Sequence, residues 1–93
     1  MRGSQTLVPV GTSSIQVIGC NPKRASIIFA GDGTNVFTIS QITPVVANRG
    51  VVIGTTLTAI EFGQGDLGYN ITLPFFAICS ASGGFLTIIE SFY

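Results

Sequence analysis

The stretch GCNPKRASIIFAGDGTNVFTIS, residues 19–40, decides the fold. It holds two apolar runs, 25–31 and 35–40, dominated by Ile, Phe, Val and Thr, the residues that fit a pleated surface. Side chains alternate across a strand, so Ile27 and Phe29 share one face of the first run, and Phe37 and Ile39 share one face of the second. The Gly-Asp-Gly-Thr turn between the runs predicts a hairpin that brings these four side chains onto a common core face. Asn21-Pro22 predicts a turn before the first run, because proline fixes its own φ and holds the preceding residue extended.

The same grammar extends in both directions. Strands are expected at 6–10, 14–19, 25–31, 35–40, 50–54, 56–62, 75–81 and 85–93, with 69–73 either a ninth or continuous with 75–81 around Pro74. Gly, Pro, Asn or Asp stands in the separators at 11–13, 21–22, 32–33, 48–50, 63–66 and 82–84. Turn signals every 8–12 residues point to a sandwich or a barrel. No window sustains an apolar period of 3.6, so little or no helix is expected. The 93 residues fit one domain. A chain of this size buries roughly 60–65% of its unfolded surface, which allows a real core with a thin stability margin. The fold class is therefore all-β: a single compact antiparallel β-sandwich or β-barrel of about eight short strands.

Charge is scarce. Charged residues make up 9% of the chain against about 25% in an ordinary soluble domain, and the formal net charge is zero. Such a surface associates readily, so it belongs against a membrane or against protein. No apolar stretch approaches the roughly 18 residues of a spanning helix. The strands also lack the apolar-out, polar-in alternation of a membrane barrel. Burial against protein partners, including other copies of the chain, is the expectation. Zero net charge argues against nucleic acid, which needs a basic stripe. The opening residues are too short and polar for a secretory signal. The last strand carries the interface pattern: Leu86, Ile88 and Phe92 point one way, and Phe85, Ile89 and Tyr93 the other. Doubly apolar strands are usually covered on both sides. Phe85, Ile89, Phe92 and Tyr93 are accordingly expected at a contact with another subunit.

Catalytic chemistry has few candidates. The chain has no His, which removes His-based triads and the commonest metal ligand, and no Trp for a sugar-stacking platform. Asp32 and Asp66 lie in glycine-rich turns, and Glu61 and Glu90 in strands. The GDGTN segment resembles part of a calcium loop but lacks the later ligands and the terminal Glu. GQGDLG is followed by no helix and is no dinucleotide fingerprint. Cys20 and Cys79 are the two thiols, and the missing signal favours free, buried cysteines over a disulfide. No enzyme, metal or cofactor is expected. Arg24 begins a strand that enters the core. Its planar fork suits it either to clamp loop carbonyls or a carboxylate, or to make a salt bridge to a partner.

The run NPKRASIIFAGDGTNVFTIS resembles the Asn-Pro-x-Arg, apolar run, small turn and apolar strand that open small all-β proteins of tailed-bacteriophage virions. The later GVVIG and FFAICSASGGFLTIIES are similar to the second half of that pattern, and the likeness covers about residues 7–90. It implies a structural protein of the virion: a capsid decoration or cement subunit, or a head or tail accessory protein. Its partners would be the capsid lattice and its own copies, and it would have no catalytic residues. A carbohydrate- or ligand-binding module on a tail or fibre is the alternative.

Overall fold

The structure, a computed structural model, describes residues 2–46, 49–54, 58–63 and 71–92. Among them lie eight strands and no helix: β1 (Arg2–Val10), β2 (Ile15–Ile18), β3 (Arg24–Ala30), β4 (Phe37–Ser40), β5 (Val51–Ile53), β6 (Ala59–Phe62), β7 (Phe75–Cys79) and β8 (Gly84–Phe92). They form two four-stranded antiparallel sheets, ordered β1-β8-β3-β6 and β2-β7-β4-β5. The chain changes sheet at every step except β4 to β5. This is the strand order of an eight-stranded jelly roll, a sandwich built from two Greek keys. The radius of gyration, 12.1 Å, matches the roughly 12 Å expected of a compact domain of this length.

The hairpin expected at residues 25–40 does not form. β3 pairs with β8 and β6, while β4 pairs with β7 and β5. The intervening loop, residues 31–36, is too long for a two-residue hairpin turn, and it carries the chain across the roughly 10 Å between packed sheets. Ile27, Phe29, Phe37 and Ile39 are all fully buried, but they meet face to face from opposite sheets. Residues 71–73 form a turn and make neither a ninth strand nor an extension of β7. Their carbonyls accept from the Asn21 backbone and the Arg24 side chain. Residues 69 and 70 lie outside the described residues, as do Asp66 and Tyr93.

The core is set by alternation. Val10, Ile27, Phe29, Phe62, Leu86 and Ile88 point inward from one sheet, and Phe37, Ile39, Ile53, Phe75 and Ala77 from the other. Phe29 packs edge-on to Phe75, ring centroids 5.0 Å apart, and to Phe62 at 6.0 Å, while Phe62 and Phe75 stack at 5.9 Å. The trio thus bridges the two sheets. Each buried Phe contributes on the order of 1.5–3 kcal/mol through removal from water. At the β7–β8 crossing, Gly83 adopts φ +83°, and a Cβ on the buried Gly84 would lie 2.7 Å from Cys79 Sγ and 3.1 Å from the Phe37 ring. Glycine at both positions lets the chain turn and pass directly over the core.

Candidate functional site

Two features of the β1-β8-β3-β6 sheet stand out: a buried ionic clamp at one end of its inner face, and an apolar outer face.

The clamp is built by a bulge. In the β3–β8 pairing Ser26 lies opposite Ser91 and Arg24 opposite Phe92, so Ala25 is an extra residue. An unbroken strand would place Arg24 on the same outward face as Ser26. The extra residue turns it inward, as bulges do when they re-aim a side chain. Ile27 lies opposite Glu90, which puts that carboxylate on the same inner row. Arg24 is 1% exposed, and its Nε donates to Glu90 Oε2 at 2.7 Å. Nη1 donates to the Ile71 carbonyl at 2.6 Å and the Leu73 carbonyl at 3.3 Å, and Nη2 to the Gly19 carbonyl at 2.7 Å. Ser4 Oγ donates to the other oxygen of Glu90 at 3.4 Å. One guanidinium therefore ties the end of β8 to the segment after β2 and to the turn before β7. The Asn21-Pro22 turn holds its base: Arg24 N donates to the Asn21 carbonyl, Lys23 N to Asn21 Oδ1, and Asn21 N to the Thr72 carbonyl. Lys23 itself is exposed. Of the two roles open to Arg24, an internal clamp or a salt bridge to a partner at an interface, its enclosed side chain and its bonds within the subunit are those of the clamp.

A second polar knot closes the 31–36 loop. Asp32 Oδ1 accepts from the backbone of Thr34 and Asn35, and Oδ2 from Asn35 Nδ2 at 2.8 Å and from Phe85 N at 3.4 Å. The backbone N–H of Asn35, followed by that of Thr34, holds the carboxyl well below its ordinary value, at about 2. These donors all favour the charged form. The calcium-like GDGTN segment thus spends its carboxylate on its own turn and on the start of β8.

The outer face reads off the registers. One row crosses the sheet as Gln5, Ile89, Ile28 and Glu61, and the next as Leu7, Thr87, Ala30 and Ala59, with Pro9 and Phe85 beyond. Leu7 is 62% exposed, Phe85 46% and Ile89 37%. Phe85 and Ile89, both singled out in the sequence, therefore share this surface. Phe92 lies on the inner side beside Arg24, half-buried at the end of the sandwich. Leu7 was not singled out, because its outward direction depends on pairing with β8, which composition does not reveal. Glu90 was also missed as the partner of Arg24, although a signal existed: a carboxylate in register with Leu86 and Ile88 on a core row requires a cation. On the opposite sheet, Thr38 and Ser40 also point outward but are buried, flanked in register by Ile78 and Val52 and by Phe76. Both cysteines are free, with Cys79 buried as expected and Cys20 exposed. No known protein family, curated protein or solved structure matches the chain.

Proposed function

We propose that this chain is a structural subunit of a virus particle, a decoration or cement protein of the tailed-bacteriophage kind, located in the virion and binding its capsid lattice. It acts by laying apolar β-sheet surface against other subunits of the particle, its own copies among them. The observation that carries the reading is the outward-facing Leu7, Phe85 and Ile89 on a sheet face whose one ionisable side chain among the described residues is Glu61. Exposed apolar patches of this kind mark protein contacts. The loop after β4 adds Ile42, another exposed apolar side chain. The jelly roll suits the role, since capsid domains use it, although lectins and cupins use it too and architecture alone does not assign function. The test is composition and strength of the particle. Virions purified on a density gradient should contain the chain in many copies, and particles lacking it should open at lower temperature. Virions that never contain the chain would sink the reading.

A carbohydrate-binding module on a tail or fibre is the second reading. The exposed Phe85 favours it, because its backbone binds Asp32 and the same turn presents Asn35, so a stacking ring stands beside polar groups. Binding to an arrayed glycan that is lost in Phe85→Ala, with particle stability unaffected, would establish that reading in place of the first.

A further inference from the structure

We propose that the outer face of the β1-β8-β3-β6 sheet is the contact between two copies of this chain, packed sheet on sheet about a two-fold axis parallel to the strands. The inference deepens the structural-subunit reading and rests on it for the claim that copies meet in the particle.

Three observations select a second copy and this axis. The first is a row that complements itself. Gln5, Ile89, Ile28 and Glu61 run polar, apolar, apolar, polar across the sheet. A two-fold axis along the strands sets β1 over β6 of the partner subunit and β8 over β3 of the partner subunit. Ile89 then meets Ile28 of the partner subunit, and the Gln5 amide donates to Glu61 of the partner subunit. In the next row the large Leu7 meets the small Ala59 of the partner subunit, so protrusions face recesses.

The second observation is charge. Glu61 is the one ionisable side chain on this face among the described residues. An axis across the strands would set β6 against β6 and bring the two Glu61 carboxylates toward each other. The axis along the strands holds them at opposite edges, about 14 Å apart laterally for three inter-strand spacings. Like charges brought together in an interface oppose association.

The third is area. The sheet's strands run 9, 9, 7 and 4 residues, which at about 3.3 Å per residue and about 4.8 Å between strands gives a face of about 460 Å², so two copies bury about 900 Å², close to the roughly 1,000 Å² of a small specific interface. Sheets stacked this way align to within about 30°, as their twist requires.

The test uses the whole chain. Analytical ultracentrifugation should show a dimer for the wild type. Leu7→Lys with Ile89→Lys should weaken it at least tenfold while the far-UV circular dichroism keeps its β form. A second arm does not depend on disrupting the face. In a Cys20→Ser background, Gln5→Cys with Glu61→Cys should give a covalent dimer with a bismaleimide spanning about 10 Å, the spacing of stacked sheets. Each single cysteine variant should not. A wild-type monomer at all concentrations, or a double-cysteine variant that never cross-links, overturns the inference. So does a monomer that binds capsids and loses that binding in Leu7→Lys with Ile89→Lys, because the face then belongs to the lattice. A dimer that cross-links as described but is absent from virions upholds the contact and sinks the virion reading, so the two failures are distinguishable.

Discussion

Removing the Arg24 side chain leaves Glu90 behind a closed sandwich wall and strips donors from the carbonyls of Gly19 and Ile71. Breaking one member of a buried pair typically costs about 3–5 kcal/mol. Arg24→Ala should therefore lower the melting temperature by more than about 10 °C in a domain of this size. Arg24→Lys should recover only part, since an ammonium cannot reproduce the fork that reaches Glu90 and two loops at once. Arg24→Met with Glu90→Leu should recover the ionic part and not the loop part, and so melt between Arg24→Ala and the wild type. If Arg24→Ala melts at the wild-type temperature, the clamp holds nothing. Asp32 gives a separate handle through pH. Its folded value, about 2, lies below its ordinary 3.8. Its contribution is thus complete above about pH 4 and fades as pH falls toward 2. Asp32→Asn keeps an acceptor but loses the charge, so it should melt below the wild type at neutral pH and converge with it near pH 2. A gap that stays constant over that range would show that the charge of Asp32 does not matter.

The eight strands were legible as elements because each carries β-branched or aromatic residues and turn residues punctuate the chain between most of them. Their partners were not. The chain at 25–40 reads locally as a hairpin, but the neighbours of β3 are β6 and β8, both far along the chain. β1 begins four residues before the expected position because residues 2–5, poor in strand formers, are held by β8 and not by their own propensity. The inward turn of Arg24 was hidden for a related reason: a bulge changes which face a residue takes, and no local sequence signal marks Ala25 as the extra residue. Gly84 tests how tightly the crossing between β7 and β8 is built. Gly84→Ala should destabilise by about 1–3 kcal/mol, the usual cost of overpacking, since the new methyl meets Cys79 Sγ and the Phe37 ring. Cys79→Ala in the same chain should restore part of the loss, because it removes the nearer obstacle and leaves the ring. Unchanged stability of Gly84→Ala in urea denaturation would mean the crossing has slack.

At the scale of the whole molecule, the fold is closed by its two most distant strands. β1 and β8 pair along nine positions, from Arg2 opposite Phe92 to Val10 opposite Gly84, and β8 also holds β3 on its other side. A topology dominated by such distant pairs folds slowly, in milliseconds to seconds, because the chain must be brought together before these contacts form. It also makes β8 the element on which cooperativity depends. A chain ending at Gly83 loses the burial of Leu86 and Ile88, worth about 2–5 kcal/mol each on truncation. It also leaves Arg24 without its carboxylate and β1 without its one hydrogen-bonded strand. Together these losses match or exceed the roughly 5–15 kcal/mol that separates folded from unfolded domains. The truncated chain should show no cooperative urea transition, and a peptide of residues 84–93 added in trans should restore it, since the peptide supplies the central strand, the Glu90 partner and both core leucine-like side chains. A sigmoidal transition in the truncated chain alone would mean that the β2-β7-β4-β5 sheet and β3 hold a core without β8, and that closure by the distant strands is not what stabilises the molecule.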